Sequence, residues 1–304
     1  MKQKVALALG SGGARGLAHI GVIEELNSQG FEITSVSGTS IGSLIGGVFA
    51  MGELDSLANW VCTLNKRDVY NLMDFTIGTN GLLKCNKVIS KMKTFIPDMN
   101  IEEMNIPYSA IATDIINRKE VVFTSGSFYD ATRASIAIPS IITPAVINNK
   151  ILVDGGIINP IPVNRVKRNE GDILVAVNLY YSDEINELKG QMPNLTKRKR
   201  NGFFEGSLKN RNLSISLRNK ILDFIDIGDK QSQGYYTLIQ LASSTMLERI
   251  SDLSLEITKP DIIINIPVAT ARSYDFHRSN EIIEVGRHAA ALCIKEFNNK
   301  ETKL

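Results

Sequence analysis

Ser40 stands at the centre of Gly38-Thr39-Ser40-Ile41-Gly42, between a β-branched run at 33–36 and an apolar run at 41–51. The placement reads as strand, sharp turn, helix, which is the setting a nucleophilic serine needs. Such a turn strains the backbone, lifts the hydroxyl above the sheet edge and sets it beside the positive end of the following helix. Gly38 and Gly42 flank it where a Cβ would keep strand and helix apart. A second candidate is Gly10-Ser11-Gly12-Gly13-Ala14-Arg15-Gly16, which follows an apolar strand at 4–9 and precedes Leu17, Ile20, Ile23 and Leu26 at helical spacing. Free backbone N–H groups in such a loop bind negative charge. Two chemistries use this: a dinucleotide pyrophosphate on Gly10, Gly12 and Gly16, or an oxyanion hole in which the Gly12 and Gly13 N–H groups face a tetrahedral intermediate at Ser40. A third candidate is Asp154, at the end of the short apolar strand 150–154 and followed by Gly155 and Gly156. In a parallel α/β sheet, residues past the carboxyl ends of strands meet in one crevice, so these three pieces are expected to share it. A dinucleotide enzyme has no need of the serine turn, and none of the eight tyrosines begins a Tyr-x-x-x-Lys pair.

With these pieces in this order, the chain resembles the patatin-like phospholipase family, in particular its bacterial branch related to the catalytic domain of neuropathy target esterase. The resemblance is carried by Gly12-Gly13-Ala14-Arg15-Gly16, by Gly38 to Gly42, and by Asp154-Gly155-Gly156. It extends to Arg133-Ala134-Ser135-Ile136-Ala137-Ile138-Pro139, Asn159-Pro160-Ile161-Pro162-Val163, Asp275-Phe276-His277-Arg278 and Gly286, and covers roughly residues 4–181 and 235–292. One departure is Ser11, which stands where a G-x-G-x-x-G loop has glycine; Gly12 and Gly13 remain as the two presumed donors. The resemblance implies a three-layer α/β/α patatin-like fold with a mostly parallel central sheet. It also implies a serine acyl hydrolase of lipid esters working through a Ser40–Asp154 dyad without histidine, and needing neither cofactor nor metal. Asp154 would take the Ser40 proton and an acyl-enzyme would form.

The residue inventory fits a dyad independently. Of three histidines only His19, on the helix after the glycine loop, lies near the site in sequence, and a lone helical histidine is usually a packed structural group. Asp114, at the end of an apolar run from 108, is a rival carboxylate, but strand-end aspartates commonly accept turn N–H groups. Arg15 has two readings, one positioning the loop or attracting a phosphate head group, the other a solvated arginine at a helix start. An aspartate of ordinary pKa is a weak base for an alcohol, so the site must desolvate it or stabilise the oxyanion strongly.

Composition bounds these readings. In 304 residues, 43% hydrophobic and 22% charged, strands and amphipathic helices alternate from 5 to 177, which argues for one α/β domain over the whole chain, with an insertion at about 185–230 and a C-terminal helix-strand-helix extension. A net charge of +2 speaks against a nucleic-acid binder. Cys62, Cys85 and Cys293 are odd in number and far apart, which points to a reducing, cytoplasmic setting without a metal site. No run is long and apolar enough to span a bilayer. Residues 197–220 stand apart with a local charge of +7 and a Phe203-Phe204 pair. Lys197, Arg198, Lys199, Arg200, Lys209 and Arg211 suit peripheral contact with an anionic membrane, although charge runs are usually solvent-facing. Residues 235–255 are expected to form a helix with Leu238, Leu241, Met246, Leu247 and Ile250 inward, followed by a buried strand at 262–266. Residues 75–83 combine turn residues with apolar ones, as a gate over the site or a loop packed on a small cluster would. Two functions of other classes share these features: a nucleotide-binding oxidoreductase built on the glycine loop, and a catalytically idle membrane-associated regulator.

Overall fold

The computed structural model describes residues 2–76, 83–182 and 235–301. The chain divides into two compact units, Met1–Tyr181 with Ser244–Leu304, and Ser182–Ser243. The basic segment 197–220, including Lys197, Arg198, Lys199, Arg200, Lys209 and Arg211, lies outside the described residues.

The larger unit is built on a mixed sheet. β1 (Lys4–Leu9), β2 (Glu32–Thr39), β3 (Tyr108–Asp114), β7 (Ile173–Tyr181) and β8 (Ile262–Pro267) run parallel in the order β3-β2-β1-β7-β8. Three short strands run beside the far part of β3: β4 (Lys119–Phe123) and β6 (Lys150–Asp154) antiparallel to it, and β5 (Ala145–Ile147) antiparallel to β6. Residues 110–114 of β3 give one edge to β4. The other edge is shared lengthwise, with β2 pairing Tyr108 to Ile111 and β6 pairing Ala112 to Asp114. β2 and β6 therefore approach each other head-on along one edge of β3.

The strands alternate small and large residues, and this sorts the layers. Val36 of β2 and Leu9 of β1 pack under Gly46 of α2 (Ile41–Met51). Helix α1 (Ala18–Ser28) shares this face and packs closely against the C-terminal helix Ser279–Glu301, Gly21 lying against Ile283 and Gly286 against Ala18. The opposite face carries Ala6, Ala8, Leu174 and Ala176, covered by Ile161, Val163, Val166 and Leu255. Over β2 and β3 this second face is lined with buried hydroxyls rather than alkyl groups. Thr39 donates to the Asn159 carbonyl (2.8 Å), Ser35 to that of Lys167, and Ser109 to Ser37 (2.8 Å). The Thr39 and Ser35 bonds tie carbonyls of the non-helical segment 159–167 to the sheet.

Leu255 belongs to the helix Tyr235–Thr258, where the structure corrects the sequence reading. Leu241 and Met246 are 60% and 64% exposed, and the inward positions are Ser251 and Leu255. A helix with apolar residues on more than one face gives no unique inward side from periodicity alone. Of the segment 75–83, Ile77 to Leu82 lie outside the described residues, while Leu83 is buried in a small cluster with Ala137 and Ile142.

Candidate active site

Ser40 is the last residue before α2 and has φ 55° and ψ −123°. A non-glycine residue there is strained by on the order of 1–3 kcal/mol, and persists only where surrounding contacts fix it. Two contacts do so. The Ser40 N–H donates to Ser135 Oγ (2.8 Å), whose own hydroxyl donates to the Ile111 carbonyl (2.6 Å). The Ser40 carbonyl accepts from the Ser43 hydroxyl (2.6 Å) and the Ser43 N–H (2.9 Å). Gly38 and Gly42 are required by space: a Cβ on Gly38 would meet the Gly42 carbonyl, and one on Gly42 the Leu9 carbonyl.

The head-on meeting of β2 and β6 delivers the carboxylate. Thr39 ends its strand beside Ile111 and Asp154 ends its own beside Ala112, and Ser40 Oγ donates to Asp154 Oδ2 at 2.5 Å. The glycine loop and Ser40 follow neighbouring parallel strands as expected, whereas Asp154 reaches them from a strand antiparallel to β3. Asp154 Oδ1 accepts from the Gly156 N–H (2.7 Å). Burial pushes the Asp154 pKa up to about 6, against the opposing effects of the Ser40 and Gly156 hydrogen bonds. A hydroxyl held against a desolvated carboxylate can pass its proton during attack on a carbonyl, because desolvation makes the carboxylate a stronger base.

The glycine loop lies against both partners. Gly42 packs under Leu9 and Gly10, Gly16 packs on Ile41, and a Cβ on Gly156 would sit 3.0 Å from Asp154 Oδ1 and 3.2 Å from Ser11 Oγ. Gly13 has φ 60° and opens a 3₁₀ turn, Gly13–Leu17, ahead of α1. Among the described residues, neither the Gly12 nor the Gly13 N–H donates a hydrogen bond, whereas the Gly10, Ser11 and Ala14 N–H groups are bonded to Val177, Pro160 and Ser273 carbonyls. Gly155 lies tight against the Ile111 carbonyl, where a Cβ would not fit.

A model described as "Patatin-like phospholipase" matches residues 7–166. The chain belongs to the patatin-like phospholipase family. An NTE family protein of Mycobacterium tuberculosis is 32% identical, over 97% of this chain and 92% of its own. Lysophospholipase NTE1 of Kluyveromyces lactis is 29% identical over 93% of this chain, which corresponds to 19% of that larger protein. The crystal structure of VipD from Legionella pneumophila is similar over 97% of this chain and 67% of its own, with a TM-score of 0.47 and 12% identity.

Arg15, Ser11, His19 and Asp114 stand around this patatin-like site, each with partners of its own. Arg15 is neither solvated nor turned outward to a head group. Its guanidinium is buried, donates to the Leu179 (3.1 Å) and Ala271 (3.2 Å) carbonyls, and lies over the Tyr180 ring. It ties the glycine loop to β7 and to the segment before the C-terminal helix. Ser11 meets the Tyr180 hydroxyl at 3.1 Å, so the serine that departs from the glycine pattern is accommodated by a side-chain partner. His19 is fully buried, with Nε2 2.8 Å from the Gly10 carbonyl and Nδ1 without a partner. Burial drives its pKa down to about 4, so it is neutral and its Nε2–H holds the loop. Asp114 accepts from the Asn117 N–H (3.1 Å) and side-chain amide (2.8 Å), and these bonds hold its pKa below the usual value. It closes the β3–β4 turn.

Ser135 belongs to the 133–139 motif, and the sequence attaches no role to it. Its signal was only a serine at the end of a short helix, Phe128–Ser135, ahead of Pro139, and nothing local ties it to Ser40. Ser135→Ala leaves the Ser40 N–H buried without an acceptor, a loss worth about 1–3 kcal/mol. The expected result is a roughly 10- to 100-fold fall in kcat for a soluble aryl ester, with KM little changed. A lowered melting temperature with unaltered kcat assigns Ser135 to the scaffold alone.

Among the described residues no three His, Cys, Asp or Glu side chains are grouped to hold a metal ion, and no helix is long and apolar enough to cross a membrane.

Proposed function

We propose that this chain is a serine acyl hydrolase that cleaves fatty-acyl esters of phospholipids or lysophospholipids through Ser40 and Asp154. The observation that carries the reading is the 2.5 Å hydrogen bond from the strained Ser40 hydroxyl to a buried carboxylate whose basicity is raised. Support comes from family membership and from relatives whose names describe lysophospholipases, in Kluyveromyces lactis and Yarrowia lipolytica.

Ser40 Oγ attacks the ester carbonyl as its proton moves to Asp154 Oδ2. The Gly12 and Gly13 N–H groups donate to the resulting oxyanion, where each such donor is typically worth about 100- to 1000-fold in rate. Collapse of the tetrahedral intermediate breaks the bond to the alcohol, which leaves with the proton returned by Asp154. Water then gives its proton to Asp154 as it adds to the acyl-enzyme, and Ser40 takes a proton back as the free fatty acid departs. Arg15 and His19 hold the donor loop in place without touching the reacting atoms. The bonding of Arg15 to two carbonyls also weighs against a dinucleotide, because the one cation of the loop is not turned toward a pyrophosphate.

The reading is tested by offering the purified protein phospholipids, lysophospholipids, acylglycerols and short aryl esters and measuring free fatty acid or phenol. Turnover is expected on at least one glycerophospholipid or lysophospholipid, together with covalent labelling by a fluorophosphonate. Nicotinamide or flavin absorbance without ester turnover would favour the oxidoreductase, and absence of both labelling and turnover would favour an idle regulator.

A further inference from the structure

The short antiparallel strands beside Asp154 carry an anomaly. An antiparallel sheet with one covered face normally alternates apolar residues inward and polar residues outward. Here the inward row is apolar as expected, Ala112, Leu152, Ala145 and Ile147 packing with Ala134 of the helix Phe128–Ser135. On the other face Thr113 and Val153 are buried near Asp154, and beyond them, toward the tips, the row is apolar but exposed. Val146 pairs with Ile151 across β5 and β6, and the Ile115 N–H donates to the Ile151 carbonyl (3.1 Å), so these three side chains form one row on the face away from that helix. All three are exposed, Val146 by 71%, and the adjacent Ile116 is exposed by 67%. Contiguous exposed apolar residues of this kind mark a contact surface.

The charge around the row selects the partner. The two hairpin tips, residues 115–119 and 145–151, contain Arg118, Lys119 and Lys150; a carboxylate that borders them, Asp114, is held by Asn117 and lies near Lys150, so the tips are net basic. All three cations are exposed, and none forms an ion pair among the described residues. Arg118, Asn148 and Asn149 have positive φ, which makes both turns tight, so the aliphatic and basic side chains are presented on short, stiff tips. Position adds a further constraint. β3 runs on past its last pairing with β2, so these strands project beyond the sheet end at which Ser40 sits, and Ile151 is three residues, about 10 Å, along β6 from Asp154.

We infer that the Ile115–Ile151–Val146 row, with Ile116 and the cations Arg118, Lys119 and Lys150, is the surface by which this chain docks on an anionic lipid bilayer. Aliphatic side chains enter the headgroup region while the cations meet lipid phosphates and carboxylates. The inference rests on the lipid reading of the dyad and deepens it, with residues other than the basic ones of 197–220.

The test uses the full chain and the double variant Ile116→Asn with Val146→Asn, both positions being exposed and outside the proposed machinery. Cosedimentation with phosphatidylglycerol:phosphatidylcholine vesicles and hydrolysis of a soluble aryl ester are measured side by side. The expected result is strong binding by the parent that weakens with salt, at least a tenfold loss of vesicle binding in the variant, and unchanged aryl ester turnover. The inference is overturned if the parent does not bind the vesicles, if the variant binds as the parent does, or if light scattering shows that the substitutions instead split a dimer of this chain. Failure of the hydrolase reading looks different: vesicle binding lost in the variant while neither protein turns over any ester.

Discussion

Ser40→Ala is expected to abolish ester turnover, by about 10,000-fold or more, and to remove fluorophosphonate labelling while the fold is kept. The reason is local. Alanine removes the hydroxyl that donates to Asp154 Oδ2, and the backbone contacts of residue 40 to Ser135 and Ser43 do not involve its side chain. Intact-mass measurement after labelling should show one adduct in the wild type and none in the variant. Adducts persisting on Ser11 or Ser135 would place the nucleophile elsewhere; both have their hydroxyls engaged, with Tyr180 and with the Ile111 carbonyl.

Asp154→Asn is expected to lower turnover by about 100- to 10,000-fold, the range for a lost general base. It should at the same time make the protein more stable at neutral pH. Asparagine keeps an oxygen for the Gly156 N–H but carries no charge. In the wild type the Asp154 pKa is raised from 3.8 to about 6, so above pH 6 an ionised carboxylate is held in surroundings that disfavour it, at a cost to folding on the order of 3 kcal/mol. That cost is fully present above pH 6, shrinks as pH falls from 6 to 3.8, and vanishes below 3.8, where folded and unfolded chains are both protonated. The variant should therefore melt several degrees above the wild type at pH 7.5, and the two should converge near pH 4. Lost activity without this pH-dependent gain would show that Asp154 is not desolvated in the folded protein.

The elbow was legible in the sequence because its determinants are local. Gly38 and Gly42 lie within two residues of Ser40, and the spacing that identifies them is the spacing at which their carbonyls and Cβ positions collide. The family and the mostly parallel sheet were legible for the same reason, each strand and turn carrying its own short pattern. The direction of β6 was not, since it depends on which edge of β3 remains free after β2 and β4 have paired, a question of register between segments far apart in the chain. The two readings of Arg15 are separated only when the Leu179 and Ala271 carbonyls, more than 150 residues away, are brought to it. Leu241 and Met246 read as core because periodicity reports an apolar face and not what covers it.

The ionisation of the two candidates, Asp154 and His19, was least legible of all in the sequence. From ordinary pKa values, an acid limb near 6.5 would indicate a histidine base and a much lower one a carboxylate. Burial inverts the order, lifting Asp154 to about 6 and lowering His19 to about 4. The pH profile of kcat/KM alone therefore does not distinguish an ordinary histidine from this aspartate, whereas the profile combined with His19→Gln does.

The most direct test is the pH dependence of kcat/KM for a soluble aryl ester, from pH 3.5 to 8.5, in the wild type and in His19→Gln. The expected result is an acid limb near pH 6 that stays in place when His19 is replaced, because the ionisation belongs to Asp154. A limb that disappears or moves by a unit or more in His19→Gln, or one already near pH 4 in the wild type, would contradict a dyad in which the buried aspartate takes the proton from Ser40.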